Sequence, residues 1–283
     1  MRRFPQEALA ARLLEQGALT PEHLEQIAAT VAEFHEGAAA APADSPYAAP
    51  EAVHRPVREN FTALAEMGGA GDQRPPPQRL QAWSDATFAA LRPLLKPRGA
   101  AGRVRECHGD LHLGNLVSYG GAIVPFDCIE FAPELRWIDV VNEAAFLVMD
   151  LESRGRTDLA WYFLNRYLQR TADYAGMALL AYYKAYRAMV RAKICRLRSR
   201  QPGVTAAEHD ALAAQYRRYI ALADGYTVPR ANTLVITHGV SGAGKTVAAR
   251  AVAARLGAVH LRSDVERKRL FGLEAAARSG SAP

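Results

Sequence analysis

The chain has 283 residues, 49% hydrophobic and 23% charged, the proportions of an ordinary globular protein with material for one large domain or two smaller ones. Its 35 Lys+Arg against 29 Asp+Glu leave a net charge of +6, compatible with phosphorylated ligands or nucleic acid and decisive for neither. No run approaches the roughly 18 apolar residues of a membrane span, no apolar stretch follows Met1-Arg2-Arg3 as a secretory signal requires, and the 3 cysteines Cys107, Cys128 and Cys195 have no metal-ligand spacing, so reduced thiols in a cytoplasmic protein are expected.

In chain order, residues 5–95 read as helices joined by loops. Thr20-Pro21 predicts a helix start, the hydroxyl capping free N–H groups and the proline fitting the first turn. Leu24, Ile27, Ala28, Val31 and Phe34 recur at helical spacing until Gly37, a suitable stop. Residues 38–56, rich in Ala and Pro, predict a loop. Leu80, Trp83, Phe88, Leu91 and Leu94 predict another helix, ended by Lys96-Pro97-Arg98-Gly99. Short apolar runs at 104–107, 115–119 and 122–126 then predict strands, and Gly120-Gly121 between the last two is a hairpin signal. From Trp137 to Tyr226 the pattern is helical again. Thr227-Val228-Pro229-Arg230 marks a boundary that divides 1–228 from 229–283. Beyond it the sequence predicts a buried strand at 233–238, a Gly-rich loop, a helix over 245–256 and a second strand at 258–261.

The Gly-rich loop carries chemistry. Gly239-Val240-Ser241-Gly242-Ala243-Gly244-Lys245-Thr246 fits G-x-x-x-x-G-K-[ST] without a mismatch. Glycines let the backbone wrap a polyphosphate with its N–H groups inward. The helix that follows turns its positive end to the anion. Lys245 would reach the terminal phosphates of ATP, and the Thr246 hydroxyl would ligate Mg²⁺. Downstream, Ser263-Asp264-Val265-Glu266-Arg267 resembles the segment of small-molecule P-loop kinases in which an Asp takes the acceptor's proton and an Arg steadies phosphate. The resemblance assigns those roles to Asp264 and Arg267. A plain alternative reads Asp264 as a first-turn residue of a charged helix.

His108-Gly109-Asp110-Leu111-His112-Leu113-Gly114-Asn115 lies between two predicted strands. It resembles the catalytic loop H-[GR]-D-x-x-x-x-N of the protein-kinase-like fold, in the form found in aminoglycoside and choline phosphotransferases. That resemblance makes Asp110 the acceptor of the substrate hydroxyl's proton, Asn115 a Mg²⁺ ligand and His108 a brace for the loop. It makes Asp127, after the next strand, the second Mg²⁺ ligand. It also assigns Asp139 to holding the catalytic loop by hydrogen bonds.

The implied fold is mixed α/β: a mostly helical kinase-like C-lobe with a small β-hairpin region, then the start of a P-loop NTPase α/β domain. The first lysine of the chain is Lys96, so the lobe that clamps ATP in the kinase-like fold has no counterpart. The arrangement is similar to the middle of a bacterial family of fused proteins, an aminoglycoside-phosphotransferase-like domain followed by a P-loop ATPase. A fragment of a longer protein is expected, with apolar surface exposed at its ends. The expected activity is transfer of the ATP γ-phosphate to a hydroxyl of a small molecule. The alternative is a nucleotide-binding module without turnover. A third reading, nucleic-acid binding by the basic helix at 182–200, is weakened because Ala185, Met189, Ala192 and Ile194 give that helix an apolar face to bury.

Overall fold

The computed structural model describes residues 4–67, 78–229, 233–240 and 242–273. After α1 (Ala10–Glu15), α2 (Pro21–Gly37) starts where the sequence places it. Thr20 is extended, and its N–H donates to His23 Nδ1 at 3.1 Å, so a histidine closes a box usually closed by Glu or Gln. Phe34 is 40% exposed and His35, its neighbour, is buried instead.

The helix α3 (Pro50–Glu66) begins inside the stretch expected to be a loop. Pro50 occupies the first turn, where a missing N–H costs nothing. Pro56 forfeits one bond further in, and Val57, Phe61 and Leu64 bury a helical stripe that offsets the loss. Likewise α4 (Gln78–Ala100) runs through Pro93 and Pro97, past the expected stop. Tertiary contacts hold its end. Arg98 is buried between two aspartates, and a Cβ on Gly99 would lie 2.6 Å from the Ala48 carbonyl.

Next come β1 (Val104–Glu106), β2 (Leu116–Tyr119), β3 (Ala122–Pro125), α5 (Pro133–Arg136) and β4 (Trp137–Asp139). The predicted hairpin is present: Leu116 faces Pro125 and Tyr119 faces Ala122. Gly120 and Gly121 take φ of 61° and 83°, the two left-handed residues of a tight hairpin turn. β4 pairs antiparallel with β1, although the sequence reading has helix from Trp137 onward. A three-residue strand is too short to show a period.

The core is built around α6 (Val140–Ser153), which packs against α7 (Thr157–Thr171) and α8 (Leu180–Ser199); α9 (Ala206–Gly225) covers α8 and α2 covers α7. Phe146, Phe163, Tyr167 and Tyr183 are fully buried here, each worth about 1.5–3 kcal/mol relative to exposure. On α8 the sequence reading needs correcting. Lys184 and Arg187 lie inside, and Ile194, placed on the buried face, is 37% exposed while Cys195 is buried. Part of the basic stripe therefore serves the interior.

In the last part, α10 (Lys245–Leu256) has the predicted bounds and rests on α7, followed by α11 (Ser263–Leu270). The two strands expected around α10 do not form. Residues 233–240 take no regular secondary structure and are exposed, Leu234 by 83% and Ile236 by 79%. No strand lies beside them among the described residues, and a strand is stabilised only by a paired neighbour. Residues 258–260 are instead gripped by one side chain of α7: Asn165 Nδ2 donates to the Ala258 carbonyl at 3.0 Å, and His260 N–H donates to Asn165 Oδ1 at 2.7 Å. Among the described residues no helix is long and apolar enough to cross a membrane.

Candidate active site

The loop at 107–115 leaves β1 and is shaped by a few backbone constraints. Gly109 has φ of 87°, and a Cβ there would meet the Leu135 carbonyl at 2.8 Å, so both conformation and space require glycine. His108 Nε2–H donates to the Phe126 carbonyl at 2.8 Å, while its Nδ1 accepts from Asp110 N–H at 3.3 Å. These partners assign Nε2 as the donor and Nδ1 as the acceptor. They also tie the loop to the end of β3.

Helix α6 holds the loop from below. Glu143 accepts from Gly109 N–H at 2.6 Å, from His108 N–H at 3.2 Å and from His35 Nε2 at 2.8 Å. Asp150, seven residues on and so on the same helical face, accepts from Leu113 N–H at 3.0 Å. Arg187 of α8 donates to the Gly109 carbonyl at 2.9 Å and to Asn142 Oδ1 at 2.8 Å. Burial by itself would raise the Glu143 carboxyl; the bond and charge of His35, the Gly109 N–H and His108 hold it below its ordinary value instead.

Asp139 does not have the role the resemblance gives it. Its carboxylate receives Arg98 at 2.6 and 2.9 Å and caps α6 through Val141 N–H at 2.8 Å. Asp173 takes the other face of Arg98 at 2.6 and 2.7 Å. With Asp139 drawn to Arg98, the carboxylate one turn later, Glu143, holds the loop. A signal existed in the sequence: Glu143 and Asp150 flank the apolar run Ala144–Met149, and a buried carboxylate must have partners.

Asp110 and Asn115 are brought together. Asn115 Nδ2 donates to Asp110 Oδ2 at 2.8 Å and to its carbonyl at 3.0 Å. His112 Nε2 lies 3.4 Å from the same carboxylate oxygen, and Arg191 approaches His112 at 3.2 Å. Burial pushes the Asp110 carboxyl up, but the His112 bond and the charges of His112, Arg187 and Arg191 outweigh it and bring the pKa down to about 2. Asp110 is therefore ionised at neutral pH. Asp127 is exposed and left-handed, with φ of 60°, an uncommon conformation for a non-glycine residue and a feature of functional sites. Its loop is fastened to the 107–115 loop, since Phe126 N–H donates to the Asn115 carbonyl at 3.0 Å and Ile129 N–H to the His108 carbonyl at 3.1 Å.

The second predicted group stands apart in the chain, on the turn before α10. Gly242 and Gly244 have φ of 81° and 75°, with nothing within 4 Å of a Cβ on either. Gly239 has φ of 148°. Lys245 Nζ donates to the carbonyls of Gly239 at 2.7 Å and Val240 at 2.5 Å, folding over the mouth of its own loop. Ala243 N–H donates to the Val240 carbonyl at 3.3 Å, and Thr246 lies in the first turn of α10. Ser241 lies outside the described residues. Asp264, in the first turn of α11, receives Arg262 at 2.7 Å. Burial opposes but does not overcome Arg262, and the Asp264 carboxyl is lowered. Arg267 is exposed. No hydrogen bond or ion pair joins Asp264 or Arg267 to Lys245 or Thr246 among the described residues.

A helical lobe with a braced loop carrying Asp110 and Asn115, and a hairpin that leads to Asp127, make up a mixed α/β fold. Comparison with known proteins gives the family. Residues 1–180 match the phosphotransferase enzyme family, to which this chain belongs, and residues 234–282 match an AAA domain. Uncharacterized protein Rv2004c of Mycobacterium tuberculosis (strain ATCC 25618 / H37Rv) is 33% identical over 273 residues, covering 95% of this chain and 53% of its own. Uncharacterized protein Mb2027c of Mycobacterium bovis gives the same figures, 33% over 273 residues. The chain thus spans about half the length of these relatives. The solved structure of a glucosamine kinase superposes with a TM-score of 0.43 at 17% identity, over 76% of this chain and 56% of that one, too loose a likeness to argue from.

Proposed function

We propose that the chain transfers the γ-phosphate of ATP to a hydroxyl of a small molecule at the loop 108–115. The observation that carries this reading is the Asp110–Asn115 pair at 2.8 Å, with Asp110 ionised beside it. Nδ2 of Asn115 is spent on Asp110, leaving its Oδ1 and the exposed Asp127 carboxylate as oxygen donors, the type a Mg²⁺ ion takes. Mg²⁺ bound there would neutralise charge on the phosphates. Asp110 orients the acceptor hydroxyl. As the oxygen–phosphorus bond forms, the hydroxyl proton passes to the Asp110 carboxylate, and the leaving ADP keeps the electron pair of the broken bond. A pKa of about 2 makes Asp110 a weak base, suited to orienting the hydroxyl and taking its proton late rather than to removing it at the outset. His108 and Glu143 are positioning residues.

The Gly-rich loop is, on this reading, a second nucleotide site. Backbone N–H groups of Gly242, Ala243 and Gly244 would cradle phosphates with Ser241, and Lys245 would leave its own carbonyls for them. Thr246 would take Mg²⁺, and Asp264 and Arg267 would serve as proton acceptor and phosphate contact. We place the boundary between the two parts at 228/229 and the protein in the cytoplasm. The engagement of Asp264 by Arg262 at 2.7 Å favours a second reading for this loop alone, nucleotide binding without turnover.

The test is transfer from Mg·ATP to a panel of hydroxylated small molecules, followed by ³¹P NMR. Asp110→Asn should lower transfer by roughly 10²–10⁴-fold, the range for a lost proton acceptor, without weakening nucleotide binding. Undiminished transfer by Asp110→Asn would overturn the assignment.

A further inference from the structure

The two carboxylate oxygens of Asp110 are engaged differently. Oδ2 is occupied twice, by Asn115 Nδ2 at 2.8 Å and by His112 Nε2 at 3.4 Å. Oδ1 has no hydrogen bond among the described residues, so it is the oxygen left for a hydroxyl.

His112 cannot serve all its neighbours. Its Nδ1 accepts from Gly114 N–H at 3.0 Å, which puts the ring proton on Nε2. Nε2–H is then the donor to the Asp110 carboxylate. Arg191 Nη1, 3.2 Å from the same nitrogen, meets a donor where it needs an acceptor. The opposite assignment, with Nε2 bare toward Arg191, sets an Nδ1 proton against Gly114 N–H and takes a donor from Asp110. It satisfies one of these contacts where the first assignment satisfies two.

Arg191 is not compensated by a carboxylate. It is partly exposed and makes no ion pair among the described residues. Its neighbour on α9 is Tyr219, which offers a hydroxyl and a ring centroid at 6.0 Å. Asp150 and Asp110 act on it only through space, and Asp150 pairs with Arg154 at 3.4 Å. The other cation at the loop, Arg187, is spent on the Gly109 carbonyl and on Asn142. Arg191 is thus the guanidinium beside Asp110 with a donor still to satisfy, and a guanidinium fork matches phosphate oxygens.

The spacing suits a phosphoryl group in transfer. A hydroxyl on Asp110 sits about 2.6–3.2 Å from the carboxylate, with the phosphorus about 3–3.5 Å further on. Arg191 Nη1 stands off by two steps of the same size, 3.2 Å to His112 Nε2 and 3.4 Å from there to Asp110.

We propose, resting on the reading of 108–115 as the transfer site, that Arg191 is a catalytic residue whose Nη1 donates to an oxygen of the phosphoryl group as it passes to the acceptor. Arg191 forms no covalent bond and takes no proton. It stabilises the charge spread over the phosphoryl oxygens. His112 is a positioning residue, since by donating to Asp110 it keeps Arg191 from being spent on the loop.

The experiment is calorimetric titration with Mg·ADP, with and without fluoroaluminate, which takes the place of the phosphoryl group in transfer. It is run in the Lys245→Ala background, so that the Gly-rich loop does not contribute. Fluoroaluminate should tighten Mg·ADP. Arg191→Met should lose roughly tenfold or more of that gain, the order of one charge-assisted hydrogen bond, while Mg·ADP alone changes by less than about threefold. Arg191→Lys, which keeps the charge, should retain part of the gain. Guanidinium ion added to Arg191→Ala should restore it, which a merely structural role would not allow. The proposal is overturned if the protein with Arg191 intact shows no gain, if Arg191→Met keeps it, if Mg·ADP alone weakens as much as the complex, or if guanidinium restores nothing. Arg191 touches the phosphoryl group and not the hydroxyl, so the gain should survive Asp110→Asn. A gain lost in Arg191→Met beside undiminished transfer by Asp110→Asn contradicts the role of Asp110 and not that of Arg191. Transfer lost in Asp110→Asn beside an intact gain in Arg191→Met contradicts Arg191 alone.

Discussion

Glu143→Ala would strip the 107–115 loop of its anchor. Three donors lose their acceptor: the N–H groups of His108 and Gly109 and His35 Nε2. Glu143 is 1% exposed, so water does not replace it without rearrangement. Each buried donor left unpaired costs about 1–3 kcal/mol, giving about 3–9 kcal/mol as an upper range for three. A domain of this kind has a total of about 5–15 kcal/mol, so the alanine variant should be barely folded. Glu143→Gln is the informative change. It keeps the shape and one acceptor oxygen, but it turns an NH₂ group toward an N–H or toward His35, and a loss of about 1–6 kcal/mol follows from one or two donors unmet. Urea unfolding of wild type and Glu143→Gln gives the difference directly, and amide exchange at 107–113 shows where it falls. The pH dependence has a fixed sign. Glu143 is lowered from an ordinary value of 4.5, so its contribution is present above about pH 4.5 and is lost as pH falls through the depressed folded value. In Glu143→Gln that acid-side loss should shrink. A Glu143→Gln protein within 0.5 kcal/mol of wild type, the scatter of a surface substitution, with unchanged exchange at 107–113, would refute the assignment of Glu143 as the loop's anchor.

Arg98→Met should destabilise by about 3–5 kcal/mol, because it leaves Asp139 and Asp173 buried without their cation; a urea midpoint near wild type would contradict this. Gly109→Ala forces a Cβ to within 2.8 Å of the Leu135 carbonyl, and it should cost more than 1 kcal/mol in unfolding and lower transfer at once. The exposed apolar run Leu234, Val235 and Ile236 should promote association at high concentration. Sedimentation should show less of it in Ile236→Lys, and equal association in both would show that this run is not the contact.

Local rules explain why some elements were legible in the sequence. The hairpin is specified by Gly120-Gly121, and α10 by a glycine loop at one end and Gly257 at the other, so both have the expected bounds. Where distant residues decide, the sequence misleads. Pro56 and Pro97 say stop, yet the helices continue because Val57, Phe61 and Arg98 are held by parts of the chain far away. The resemblance makes Asp139 a brace for the loop, and Arg98, 41 residues earlier, takes it. Leu234 to Ile236 read as a buried strand by composition, but burial depends on neighbours, and no strand flanks them among the described residues. The site divides the same way. Asp110, Asn115 and Asp127 are singled out by a family resemblance in their order along the chain, whereas the contacts of Glu143, Asp150 and Arg187 with the loop emerge only from the fold.

The central claim is that nucleotide and Mg²⁺ are held at two places, by Asp127 with Asn115 and by Lys245 with Thr246. Calorimetry of Mg·ATP binding to the wild-type chain, Asp127→Ala, Lys245→Ala and the double variant tests it most directly. The account predicts that each single variant loses one binding event and the double variant loses both. Two binding events unchanged in both single variants, or none in the wild type, would contradict it.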